Sequence, residues 1–110
     1  MNIVYGNYQF DGPHPIKSFR PLYRAGIYAI MLFDSRITPM PYNILYFGES
    51  GNLSERDFNT SHHKYNCWLR YAGSIENLYI GVHLMPNSTE QQRCTLESEL
   101  INMYSPVCND

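Results

Sequence analysis

The residues best suited to chemistry lie in and around one stretch, Leu45–Arg56, LYFGESGNLSER. An apolar run ends in Tyr-Phe-Gly, a polar turn follows, and a helix start carries Arg56 one turn in. The Asn52 side chain can cap that helix, and Glu55 stands three residues on, where a capping-box partner belongs. A strand handing over to a helix N-terminus is a natural place for an anion. Arg56 presents a planar fork that contacts two phosphate oxygens at once. Tyr46 and Arg56 therefore bracket a corner built to hold phosphate.

Two further features fit the same chemistry. Glu97 falls on the line Cys94–Glu97–Ile101–Tyr104 of the last helical segment, within the half of the wheel that carries Leu96 and Leu100. A carboxylate on an apolar stripe is expensive unless it is paired or bound to a cation. The plain alternative is an Arg93–Glu97 pair one turn apart, worth about 0.3–0.5 kcal/mol if exposed. His62, His63, Lys64 and Arg70 form a basic stretch, which reads either as a solvated helix face or as a track for nucleic acid. His63 and Cys67 have helical metal-pair spacing, but no second pair completes a zinc site.

Several elements must position these groups. Gly26–Phe33, GIYAIMLF, is a short apolar run bounded by turn residues and predicts a buried strand. Asp34–Asn43 contains two prolines and predicts a loop, and Ile44–Gly48 predicts the strand that pairs back as a hairpin. A short helix is expected over Leu53–Asn59. A second, with Tyr65, Trp68, Leu69 and Ala72 on its apolar face, is expected to be capped by Thr60 or Ser61 and ended by Gly73. Asn77–Met85 predicts a third strand. Ser88, in a capping box with Gln91, opens a last helix running to about Tyr104. Residues 1–24 mix Tyr, Pro and Gly without clear periodicity and read as an irregular arm, with room for a short strand at Ile3–Tyr5, ahead of one domain over 25–110. The expected fold is α/β (α+β): a small three-stranded antiparallel sheet flanked by helices, in the order β-β-α-α-β-α.

Bulk properties narrow the classes. With 110 residues, 44% hydrophobic and 16% charged, the chain has the size and composition of one folded domain. No apolar run approaches the roughly 20 residues of a membrane span, and no signal-peptide pattern opens the sequence. Three cysteines without CxxC spacing favour a reducing compartment, the cytoplasm. The net charge of −2 gives no general drive toward nucleic acid, so any binding must come from a local patch. Lys17, Arg20 and Arg24, with no acid between Pro13 and Phe33, and the stretch ending at Arg70 are the two patches available.

Taken together the residues resemble the GIY-YIG nuclease family. Gly26-Ile27-Tyr28 is a literal GIY. Tyr46-Phe47-Gly48 stands where YIG belongs, followed by Glu49-Ser50, Asn52-Leu53 and an Arg ten residues after the second Tyr. LESELINMYSPVCN supplies Glu97 ahead of Leu100-Ile101, then Pro106 and Asn109. A literal Tyr79-Ile80-Gly81 also occurs, but Thr89, not an Arg, stands ten residues after Tyr79, so it reads as a structural strand position. The sequence departs from the family in a longer connection between the first two strands and in Glu49, where relatives carry Lys. Cys108 also replaces a frequent aromatic.

The resemblance implies an endonuclease that hydrolyses phosphodiester bonds in DNA, RNA not being excluded, with one divalent ion, Mg²⁺ or Mn²⁺, on Glu97. Tyr28 would be the general base, Tyr46 would position water or phosphate, Arg56 would hold the scissile phosphate, and Asn109 would fix geometry. His62 or His63 would be an alternative base or phosphate contact, with Lys64 and Arg70 on the nucleic-acid backbone. Monomer and homodimer stay open. The competing expectation is a non-catalytic nucleic-acid-binding or partner-binding module that has kept the fold.

Overall fold

The structure is a computed structural model that describes residues 2–39, 41–55, 58 and 61–109. Five antiparallel strands form one sheet: β1 (Asn2–Tyr5), β2 (Tyr8–Pro15), β3 (Gly26–Phe33), β4 (Tyr42–Ser50) and β5 (Leu78–Leu84), in the order β1-β2-β5-β3-β4. Among the described residues two α-helices, α1 (Tyr65–Ala72) and α2 (Glu90–Tyr104), complete the α+β architecture.

This corrects the three-stranded expectation. Residues read as an irregular arm form the β1–β2 hairpin, and β2 continues onto β5 through pairs Asp11–Val82 and His14–Ile80. β5 is consequently an interior strand, flanked by β2 and β3. In its Tyr79-Ile80-Gly81, the Tyr79 ring packs edge-on against Tyr42, Ile80 is fully buried and Gly81 lies against Phe10. The β-β-α-α-β-α order also loses a helix. Where a helix was expected over Leu53–Asn59, Leu53–Glu55 forms a single 3-10 turn, and 56–57 and 59–60 lie outside the described residues.

Strand alternation divides the core between the two sheet faces. Tyr28, Ile30, Tyr46, Ile80 and Val82 pack with Tyr65 and Trp68 of α1. Ile27, Ala29, Met31 and Phe47 pack with Leu96 and Leu100 of α2. Because both faces of β3 are covered, its sequence is a continuous apolar run rather than an alternating one. Burying side chains such as Trp68 and Phe47 contributes about 1.5–3 kcal/mol each.

Helix ends follow local rules, with shifts. α1 presents Tyr65 and Trp68 inward as expected and stops at Gly73, whose φ of 80° is costly for a residue with a Cβ. Its N-cap is Lys64, whose own side chain makes no cap hydrogen bond, rather than the expected Thr60 or Ser61; Thr60 lies outside the described residues. α2 opens in a capping box one residue later than expected, with the Thr89 hydroxyl accepting from Gln92 N and the Gln92 side chain accepting from Thr89 N. Its buried residues are Arg93, Leu96 and Leu100, so Cys94 turns outward and Glu97 lies half-buried on the flank, while the Tyr104 ring packs against Tyr5 and Phe47.

The cysteine expectation also changes. Cys67 and Cys108 form a disulfide across 41 residues, and Cys94 is free and exposed. The bond consumes the thiol that a His63–Cys67 zinc pair would need, and the cysteines no longer favour a reducing compartment. Among the described residues, no helix is long and apolar enough to cross a membrane.

Candidate active site

Register brings the two motif tyrosines together. Tyr28 of β3 pairs with Gly48 of β4, and Ile30 pairs with Tyr46. The two tyrosines thus share a face as diagonal neighbours, with ring centroids 6.0 Å apart. The glycine of Tyr-Phe-Gly is a steric requirement, because a Cβ at Gly48 would run into the Tyr28 ring.

A bulge adjusts this geometry. Met31 pairs with Ile44 while Ile30 pairs with Tyr46, leaving Leu45 as the extra residue. Leu45 and Tyr46 therefore both pack on the α1 face. Two residues from the C-terminal segment then close the outer edge of β4. Cys108 N donates to Leu45 O at 2.9 Å, while Asn109 Oδ1 accepts from Phe47 N at 2.9 Å and its amide donates to Phe47 O at 2.8 Å. This edge would otherwise present unpaired backbone groups. Asn109 holds the backbone of the motif strand.

His62 is drawn into the same cluster and is 7% exposed. Its Nε2 lies 2.9 Å from the Tyr28 hydroxyl, and its Nδ1 accepts from Lys64 N at 3.0 Å. A backbone N–H can only donate, so Nδ1 carries a lone pair and the proton of the neutral ring sits on Nε2. His62 thereby donates to the Tyr28 oxygen. Its ring packs on Trp68 at 4.4 Å and stacks with the exposed His63 at 4.6 Å. Tyr28 itself is 1% exposed, with Phe58 edge-on to its ring at 4.8 Å, while Tyr46 is 9% exposed.

The remaining expected residues are placed more loosely. Arg56 lies outside the described residues. Asn52 caps the Leu53–Glu55 turn as anticipated, accepting from Ser54 N at 3.1 Å, but one 3-10 turn is too short for an appreciable helix dipole. Glu97 belongs to the helix packed on the Phe47 face, whereas Tyr28 and Tyr46 pack on the α1 face, so the fold does not bring Glu97 together with the tyrosines. Lys64 is half-buried at the start of α1, and Arg70 is exposed on its last turn.

One charge was misjudged from spacing. The buried charge of α2 is Arg93, which turns from Glu97 toward Glu49, donating from Nε at 2.9 Å, and also donates to Ser88 O and Oγ. Glu49 is therefore held in an ion pair with side-chain exposures of 9% for Arg93 and 18% for Glu49. Capping chemistry around Ser88 was legible, but a partner 44 residues away was not.

Among the described residues, no group of three or more His, Cys, Asp or Glu is arranged to hold a metal. The donor expected from the sequence is a single carboxylate, Glu97. That hard oxygen set fits Mg²⁺, which keeps most of its waters. Comparisons with protein-family models, curated proteins and solved structures return no match for this chain.

Proposed function

We propose that the chain is a GIY-YIG-type endonuclease that uses one Mg²⁺ or Mn²⁺ ion to hydrolyse phosphodiester bonds in DNA. The observation that carries the reading is the His62–Tyr28 hydrogen bond beside Tyr46. That contact fixes the Tyr28 hydroxyl against the imidazole at 2.9 Å. Tyr28 would take the proton of the attacking water, with His62 as its positioning residue; neutral His62 has no free lone pair with which to act as the base. Tyr46 would orient water or phosphate, and Arg56 would clamp the scissile phosphate. Asn109 would act through Phe47, keeping the Tyr46 backbone in place. Lys64 and Arg70 would meet the strand's phosphates, with His63 a further contact.

Glu97 would hold the divalent ion, which when bound supplies positive charge for the phosphate and its departing oxygen. The location expected from the sequence is the cytoplasm, but the Cys67–Cys108 bond removes the cysteine argument for it.

The decisive experiment is a cleavage panel of plasmid, single-stranded DNA and RNA with Mg²⁺ and Mn²⁺, run beside Tyr28→Phe and Glu97→Ala. Cleavage by the wild type and a loss of about a hundredfold or more in Tyr28→Phe are expected. No nicking of any substrate by the folded wild type would overturn the reading. It would favour a second reading, a non-catalytic nucleic-acid-binding or partner-binding module, to which the 1% exposure of Tyr28 also points.

A further inference from the structure

The β1–β2 hairpin adds groups to the face that carries the tyrosines. β2 has its own bulge: Asp11 pairs with Val82 and His14 with Ile80, so three steps on β2 match two on β5. The extra residue keeps Asp11 and His14 on one face. Register then aligns Asp11, Val82, Tyr28 and Gly48 in one row across the sheet, and His14, Ile80, Ile30 and Tyr46 in the next. Asp11 stands two strand spacings from Tyr28, about 10 Å.

His14 Nε2 and Asp11 Oδ2 are 2.9 Å apart, and the His14 ring stacks on Phe19 at 5.7 Å. Phe19 touches Phe58, which touches Tyr28, so aromatic rings run continuously from His14 to the tyrosine site. A cavity of about 300 Å³ opens at the His14 end, lined by Asp11, His14, Ser18, Phe19, Arg20 and Val82 among others; Val82 pairs with Tyr28 in the sheet. Of the basic residues in this segment, Lys17 pairs with Glu76 and Arg24 donates to Tyr23 O. Arg20 has no ion-pair partner among the described residues and is exposed at the cavity.

Aromatic rings, a hydrogen-bonding carboxylate–imidazole pair and an available guanidinium are what an unpaired nucleotide requires. We propose that this cavity is a nucleotide subsite for single-stranded DNA, holding an unpaired nucleotide beside the phosphate at Tyr28 and Tyr46. The base packs against Phe19 and His14, Asp11 accepts from its amino edge, and Arg20 meets its phosphate. The inference rests on the nuclease reading for the position of that phosphate, and it names the substrate as a strand unpaired next to the cut.

The test measures binding of a fluorescein-labelled single-stranded DNA oligonucleotide, and of the matching blunt duplex, by anisotropy in EDTA. Arg20→Ala and Ser18→Glu alter exposed side chains and are checked for folding by thermal melts. Both are expected to weaken single-strand binding about tenfold and leave duplex binding within about twofold. Arg20→Ala should also lower the salt-dependence slope by about 0.7. Single-strand binding equal to wild type in both variants, or no single-strand binding by wild type, overturns the subsite. Wild-type cleavage with unaltered variant binding removes the subsite and leaves the nuclease reading standing. Variant-sensitive binding without wild-type cleavage does the reverse.

Discussion

Asn109 completes both backbone hydrogen bonds of Phe47, donating to its carbonyl at 2.8 Å and accepting from its amide at 2.9 Å. The residue that follows Tyr46 is thus fixed by a side chain from the end of the chain. With Cys108 N on Leu45 O, this pairing caps the edge of β4 on either side of Tyr46. Asn109→Ala removes both bonds from a part-buried site and is expected to cost about 1–3 kcal/mol in urea unfolding. Under the nuclease reading, activity should fall while dependence on Mg²⁺ concentration stays the same. Unchanged stability would show that the clamp contributes nothing.

Tyr28 and His62 should be energetically coupled. Tyr28→Phe leaves the buried Nε2–H of His62 without its phenol oxygen, and a loss of about 1–3 kcal/mol is expected. A double-mutant cycle with His62→Ala should show about 0.5–3 kcal/mol of coupling. Strict additivity in denaturation experiments would contradict the assigned contact.

Two glycines should fail for different reasons. Gly48→Ala drives a methyl group into the Tyr28 ring, and overpacking of this kind costs about 1–3 kcal/mol. At Gly73 the surroundings are open, and the penalty for alanine at a φ of 80° is about 1 kcal/mol from the backbone alone. Thermal melts should therefore rank Gly48→Ala as the more destabilised, with Tyr fluorescence altered only there.

The disulfide closes a separation of 41 residues between α1 and the segment carrying Asn109. Loop-closure entropy for such a span corresponds to about 4 kcal/mol. Cys108→Ser is expected to lower stability toward that extent and to loosen the Asn109 clamp. Thiol titration of the unfolded, unreduced protein should find one free cysteine, Cys94, and all three after reduction.

An acid-pH effect is expected on the surface. The Ser74 hydroxyl, followed by Lys17, lowers the Glu76 carboxyl from 4.5 to about 2. Because the folded value is the lower one, its stabilisation is present above pH 4.5 and disappears as pH falls toward 2. Both partners are exposed, so the effect is small. The melting-temperature difference between wild type and Glu76→Gln should be present at neutral pH and absent near the folded value. A constant difference across that range would refute the assignment.

Local patterns in the sequence were sufficient for β3, β4, β5 and α2, because an apolar run, bounding turn residues and a capping box each act over a few neighbours. Tyr28, and His62 or His63, came instead from the resemblance, and only Tyr46 from the strand-to-turn pattern. A short strand at Ile3–Tyr5 was compatible with the sequence, but β2 was not legible, because Gly12, Pro13 and Pro15 interrupt its alternation and because it is secured by β5, nearly seventy residues later. Arg93 was overlooked as the buried charge for the same reason, its partner Glu49 lying on another element. The His62 tautomer, the Leu45 bulge and the Asn109 clamp depend on which backbone groups face one another. The sequence by itself determined the strands around the tyrosines and the character of their side chains. Only the tertiary structure decided register, pairing and proton placement, because hydrogen bonds and ion pairs between distant segments leave no periodic trace along the chain.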